Sequence, residues 1–251
     1  MSPSRSPVGA EPTPAGPQGG DATPEPTPSG LPSPAPCPPA PTGLAPASVV
    51  SHGSRLQKVV ALTFDDGWDP KVTAQILATL RRLRVNATFF PVGRAIEEDP
   101  HGWKRVAAAG FPIGDHTYDH RNLFGLCYAN QRGEVTHQSE TVSTLLGVTP
   151  LPVLRPPYGA FDKLTRIAAA GAGERDVVLW DVDTRDWSGL SAAAIAARAL
   201  AGVDGSIVVM HTFVANTALA LPRIVAGYRA RGFRFVTIGQ LLGIPGAVPF
   251  Q

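Results

Sequence analysis

Five short stretches of this chain carry side chains capable of chemistry, each at or just after a run of β-branched or aromatic residues. The first is Leu62-Thr-Phe-Asp-Asp-Gly67, where two adjacent carboxylates precede a glycine. Neighbouring negative charges repel, and a cation that neutralises one leaves the other free to act as a base. The same residues also read as a turn into a helix cap, because Asp-Gly and Asp69-Pro70 are both turn and cap signals. The second stretch is His116-Thr-Tyr-Asp-His120. Two imidazoles four residues apart can meet one ion from a helical turn, and two histidines with one carboxylate and an open position form a standard catalytic zinc set. A lone pair at that spacing is also common on surfaces and in cores. His52, His101 and His137 have no such company and read as structural or solvated.

In the third stretch, Arg155-Pro-Pro-Tyr-Gly159, prolines stiffen the backbone and the glycine lets it turn tightly, so a charged side chain and nearby amides are held in fixed directions. Alone it is a rigid loop. The fourth, Trp180-Asp-Val-Asp-Thr-Arg-Asp-Trp187, sets carboxylates beside two indoles, which suits the apolar wall of a sugar cleft or, equally, a strand end with a core tryptophan. In the fifth, Ser206–His211, a buried-type strand ends in a histidine.

The elements that must position these groups alternate. Strands are expected at Val59–Phe64, Ala87–Pro91, Phe111–Asp115, Val153–Arg155, Val177–Val182, Ser206–His211 and Phe233–Ile238. Helical periods are expected over 71–84, 95–109, 134–147, 162–171, 191–202 and 217–231, the first placing Val72, Ile76, Leu80 and Leu83 on one face. Such alternation calls for an α/β fold with a parallel sheet, either doubly wound or closed into a barrel. Polar clusters at five different strand ends favour the barrel, whose rim collects residues from separate strands.

The first 50 residues hold 15 of the 26 prolines in a chain of 251. Rich in Pro, Ala, Gly, Ser and Thr, they have too few large apolar side chains to offset the entropy of ordering. Residues 1–55 are therefore expected to be a disordered tail or linker and 56–251 one domain, with no domain element before about residue 56. Outside residues 1–50 stand 21 Lys and Arg against 17 Asp and Glu, a balance without the dense basic stripe of a nucleic-acid binder. No apolar run reaches the roughly 18 residues of a membrane span. Two cysteines, Cys37 in the tail and Cys127 far along the domain, are not expected to make a disulfide framework. The first residues, Met-Ser-Pro-Ser-Arg-Ser-Pro, do not follow the pattern of a signal peptide.

Taken together and in order, Thr63-Phe-Asp-Asp-Gly67, His116-Thr-x-x-His120, Arg155-Pro-Pro-Tyr-Gly159, Asp183-x-x-Asp186-Trp187 and His211 resemble the motif set of the polysaccharide deacetylases, the nodulation-deacetylase-like family 4 carbohydrate esterases. The resemblance covers roughly residues 56–242. It implies a distorted barrel of fewer than eight strands, consistent with the seven expected. It implies that Asp66, His116 and His120 hold a divalent metal, usually zinc with cobalt as the substitute, that Asp65 is the general base and that His211 is the general acid. By the same resemblance the Tyr158 backbone amide stabilises the oxyanion, Trp187 walls the acetyl pocket, and Arg155 and Asp186 orient and tune Asp65. Thr117 would supply a supporting hydrogen bond. One departure is Val209, where the family tends to have leucine two positions before the histidine.

The function so implied is N-deacetylation of an N-acetylglucosamine polymer, peptidoglycan first and chitin-type glycans second. The protein is then expected to be a monomer, outside the cell or on its wall, with the tail as a spacer. Acetylxylan O-deacetylation is the nearest rival. A non-catalytic carbohydrate-binding module has little need of both a base and an acid, and a structural zinc domain would need four closed protein ligands.

Overall fold

A computed structural model describes residues 37–245. In chain order the strands are β1 Ser48–Val50, β2 Val59–Asp66, β3 Ala87–Pro91, β4 Val153–Leu154, β5 Asp176–Val178, β6 Val182–Asp183, β7 Ser206–His211 and β8 Arg234–Phe235. The helices are α1 Pro70–Leu83, α2 Gly93–Glu98, α3 Pro100–Ala108, α4 Tyr128–Thr141, α5 Lys163–Ala172, α6 Ala192–Ala199, α7 Ala215–Ala230 and α8 Ile238–Leu241. Local chemistry explains the boundaries. Asp69 caps α1 by accepting from the amides of Lys71 and Val72, with Pro70 opening the helix. The single helix expected over 95–109 is two, because Pro100 begins a new helix capped by Asp99.

Strand pairing is parallel throughout the named strands. β2 lies between β3 and β7, and β7 pairs with β6. β6 continues through residues 179–181 from β5, which pairs with β4 on one edge and β1 on the other. Isolated bridges from Phe89 to Ile113 and from Asp115 to Leu154 carry the path from β3 across residues 113–115 to β4. Pairings, isolated bridges and the chain through residues 179–181 together lead from β2 round to β2 again, so that two parallel sheets form a distorted circuit. The expected strand at Phe111–Asp115 contributes only those bridges. The expected Val177–Val182 strand is broken because its chain changes partner: Leu179 donates to Val50, and two residues later Asp181 donates to Ile207. At the last expected strand, Phe233–Ile238, the strand ends at Phe235 with one further bond from the Val236 amide to Val60 O, and Thr237 then caps α8.

Two-residue alternation sorts the side chains. Val60, Leu62 and Phe64 of β2 and Val208 and Met210 of β7 join Ile76 and Leu80 of α1 and Leu221, Ile224 and Tyr228 of α7 in the largest apolar cluster, between wall and helices. Ala61 and Ile207 belong instead to an inner cluster with Phe90, Val153 and Val178. Following that inner face upward leads through Thr63 to Asp65 on β2 and through Val209 to His211 on β7; Asp65 and His211 are register partners.

The expected boundary at 55/56 does not hold for the described part of the tail; residues 1–36 lie outside the described residues. β1 pairs in register with β5, Ala47 donates to Arg166 O, and Arg166 returns a bond to Ala47 O. Cys37 and Cys127 form a disulfide across 90 residues of sequence, with Cα atoms 5.9 Å apart. The two cysteines, not expected to make a disulfide framework, make this one bridge because β1 lays the tail's end along the wall, close to the start of α4.

Closing a loop of this size contributes about 2–5 kcal/mol, chiefly by restricting the unfolded chain. Cys127→Ser should therefore lower the midpoint of thermal unfolding by roughly 5–15 °C, and a chain beginning at residue 51, which loses β1 as well, should fall further. Calorimetry with and without reductant checks this, the wild type alone responding to reductant.

Candidate active site

All five chemical stretches converge at the C-terminal ends of the parallel strands. Asp65, Asp66, His116, His120, Tyr158, Trp180, Asp183, Trp187, Val209, His211 and Phe213 line one cleft of about 410 Å³. Every candidate residue is there except Arg155 and Asp186, which lie directly beneath. The backbone is bent to achieve this. Among the described residues, six non-glycine residues have positive φ, and five of them, Asp66, Thr117, His120, Tyr158 and Arg185, belong to these rim loops. Each such conformation costs of order 1–3 kcal/mol and persists only where surrounding contacts enforce it. Gly67 is obligatory: φ is +112°, and a Cβ there would lie 2.6 Å from the ring of Trp103.

The two histidines converge by a route the spacing did not suggest. Residues 116–120 are not a helical turn but an irregular loop with left-handed residues at Thr117 (φ 65) and His120 (φ 57). His116 Nε2 and His120 Nε2 lie 3.3 and 3.2 Å from the same oxygen, Asp66 Oδ1. The Nδ1 of His116 donates to Arg155 O at 2.6 Å, which leaves Nε2 as a lone pair. Asp66 Oδ1 is buried without a hydrogen-bond partner. Acceptors facing one another at this separation need a cation between them. Bonds of about 2.0–2.1 Å at tetrahedral angles place ligand atoms about 3.3 Å apart, so the three side chains fit a zinc-type ion. Thr117 departs from expectation, its Oγ1 being buried without a partner.

Asp65 sits beside this triad, 2 % exposed. Arg155, wholly buried, donates from Nη1 to Asp65 Oδ1 at 2.8 Å and to Thr63 Oγ1 at 2.7 Å, and its remaining donors reach Val178 O and Leu179 O. Its guanidinium lies 4.1 Å from the Phe90 ring centre. The carboxylate of Asp186, expected to orient and tune Asp65, is hydrogen-bonded to His211 and Thr217. Its Oδ1 accepts from His211 Nδ1 at 2.6 Å and its Oδ2 accepts from the His211 amide at 2.8 Å and from Thr217 Oγ1. Asp65 and His211 thus each have a buried partner of opposite charge type, Arg155 for Asp65 and Asp186 for His211.

The charges explain one another. Burial alone would lower the pKa of His211, but the hydrogen bond and charge of Asp186, reinforced by Asp65 and Asp66, raise it to about 9. Burial would raise Asp66, yet His116 and His120 hold it well below the usual carboxylate range. Against its own burial, His116 is pushed up by Asp65 and Asp66. The centre therefore favours positive charge beside Asp66 and a protonated imidazole at His211.

Two aromatic rings frame the opening. Tyr158 stands edge-on to His120 with centroids 4.9 Å apart, and Phe213 lies 5.5 Å from the His211 ring. Trp187 is 53 % exposed at the rim. Phe213, Thr212 and Thr217 were not legible as site residues. Thr212, which ties β7 to the Asp65 carbonyl, and Phe213 follow His211 directly, the one signal that could have flagged them. His52 and His101 lie outside the cleft, and His137 stacks on Tyr118.

Known proteins are similar to this chain in sequence and in fold. A peptidoglycan-N-acetylglucosamine deacetylase of Bacillus cereus is 37% identical over 189 residues, covering 72% of this chain and 67% of its own length. The Listeria monocytogenes peptidoglycan-N-acetylglucosamine deacetylase PgdA is 35% identical over 191 residues, covering 76% of this chain; this chain spans 40% of that protein's length. A crystal structure of the Bc1960 peptidoglycan N-acetylglucosamine deacetylase superposes with a TM-score of 0.73 at 34% identity, covering 77% of this chain and 92% of that one. Residues 52–177 match the polysaccharide deacetylase family itself. With its motif residues gathered in one cleft and its sequence matching over this span, the chain belongs to the polysaccharide deacetylase family.

Proposed function

We propose that this protein is a metal-dependent hydrolase that removes N-acetyl groups from an N-acetylglucosamine-containing polysaccharide, peptidoglycan first and chitin-type glycans second. The observation that carries the reading is the placement of one three-ligand cluster between a carboxylate braced by a cation and a histidine braced by an anion. Asp66, His116 and His120 would hold a divalent ion, zinc or cobalt. When bound, that ion supplies Lewis acidity, polarising the acetyl carbonyl and making water more acidic.

The chain's own groups divide the remaining work. Arg155 occupies Asp65 Oδ1, so Asp65 accepts the proton of the attacking water at Oδ2. The rigid Pro156-Pro157 turn fixes Tyr158 in its left-handed conformation, directing its backbone amide for the developing oxyanion. His211 is locked by Asp186 through Nδ1, so Nε2 delivers the proton to the departing sugar amine. Tyr158 and Trp187 offer ring faces suited to a sugar. An extracellular or wall-associated site of action is supported by the Cys37–Cys127 disulfide, since such bonds persist in oxidising surroundings.

Chelation should abolish acetate release from N-acetylated glycan, and zinc or cobalt should restore it; undiminished turnover in metal-free protein would refute the reading. His116→Ala and His120→Ala should lose bound metal by elemental analysis. Asp65→Asn and His211→Ala should retain metal yet lose about 10²–10⁴ in turnover, and comparison of peptidoglycan, chitooligosaccharide and acetylxylan substrates ranks the glycans.

The acid role also fixes a pH dependence. His211 must be protonated; its pKa is raised to about 9 in the metal-free folded protein, and a cation held by Asp66 lowers it from there, so turnover should fall on the alkaline side with a midpoint at or below about 9. The stability drawn from the His211–Asp186 pair is fully present below the unfolded histidine value of about 6.5 and is lost over the same rise. In Asp186→Asn the basic limb of the rate profile should move toward neutral pH; an unmoved limb would exclude His211 as the acid.

A further inference from the structure

Helix α4 buries polar rather than apolar residues: Gln131, Glu134 and Gln138 are covered, with Val135 the main apolar contribution. An amphipathic helix normally buries its apolar stripe, so this face answers to something other than core packing. It meets the loop that carries both histidines. Glu134, 8 % exposed, accepts from the amide of Asp119 at 2.9 Å through Oε2, while its Oε1 faces Arg121 at 3.8 Å. One turn along α4, His137 stacks on Tyr118 with centroids 3.6 Å apart, and Gln138 donates to Pro91 O and Gly114 O. The opposite side of the loop is held by α2, whose first amides, Gly93 and Arg94, donate to Thr117 O and Tyr118 O.

His120 has a left-handed backbone, φ 57. No helix or strand encloses it, and its neighbours on either side, Asp119 and Arg121, are both engaged by one carboxylate. We infer that Glu134 is a positioning residue for the metal centre, gripping the loop across His120 so that its Nε2 stays in reach of the ion that Asp66 and His116 share. The inference rests on the proposed metal site, and it assigns to Glu134 no contact with the ion or the substrate. What matters is the acceptor for the Asp119 amide, because Arg121 is half exposed and its ion pair is solvent-screened.

Two neutral replacements of similar length separate the hydrogen bond from packing: Glu134→Gln keeps an acceptor, and Glu134→Met does not. Zinc affinity is read by competition with a chromophoric chelator, and geometry by the visible spectrum of the cobalt-loaded protein. Glu134→Met should bind zinc about 10–100-fold more weakly with an altered cobalt spectrum, and Glu134→Gln should stay within about threefold of wild type with the spectrum preserved. Arg121→Ala should resemble Glu134→Gln. Equal affinity and equal spectra in the Gln and Met variants would overturn the role of Glu134 while leaving the metal site standing. A wild-type protein that binds neither ion would overturn both. Should Glu134→Met fail to fold, Asp119→Pro, which removes the donor instead, should show the same weakening, and wild-type affinity in that variant would overturn the inference.

Discussion

One buried guanidinium ties this active centre together. Arg155 is wholly excluded from solvent, and its donors reach Thr63 and Asp65 on β2 and the carbonyls of Val178 and Leu179 where β5 leaves its sheet. Its own carbonyl accepts from His116. A single residue thus links β2, the end of β4, the β5–β6 crossing and the histidine loop. A buried cation is tolerable only when its donors are nearly all used and a counter-charge is close. Both conditions hold, and taking away either charge would strand the other at a cost of about 3–5 kcal/mol. The pair is therefore both a structural clasp and the contact that fixes how Asp65 faces the cleft.

A second constraint follows from setting Asp65 next to Asp66. Adjacent residues on a strand point to opposite faces, and β2 uses this to separate the two carboxylates. Asp65 turns inward to Arg155. Asp66, at the strand's end with φ 78, swings to the histidines instead. The strain is local and concentrated: apart from Arg84 at the end of α1, each positive-φ non-glycine residue among those described lies in a rim loop. A parallel wall supplies the rigidity that such loops require, since their ends are pinned by strands whose pairing leaves no slack. The first amides of α2 and the polar face of α4 do the same from outside for residues 114–121.

Much of this was written in the linear chain. Asp65, Asp66, His116, His120, Arg155 and His211 were legible because polar residues at the ends of apolar runs break the pattern, and because five such breaks in order define a family. β2, β3 and β7 were legible in nearly their observed bounds, since each is buried along its length and its composition says so. α1 was equally plain, its cap and apolar stripe lying within one continuous segment.

What only the folded chain decided was pairing between distant segments. β1 is three residues emerging from a proline-rich stretch, and nothing local marks it, because the edge it joins on β5 lies more than 120 residues away. The Cys37–Cys127 bond depends on that pairing. The break at residues 179–181 arises from a change of neighbours, which no periodicity records. Asp186 hydrogen-bonds His211 because the 3-10 turn that it opens follows β6, the strand paired with β7. The two histidines do converge on Asp66, but their spacing was read wrongly as a helical turn, since loop geometry with two left-handed residues is imposed by α2 and α4 and not by residues 116–120 themselves. Chemistry carried on single side chains was readable in sequence; geometry set by contacts across the fold was not, because those contacts obey no local period.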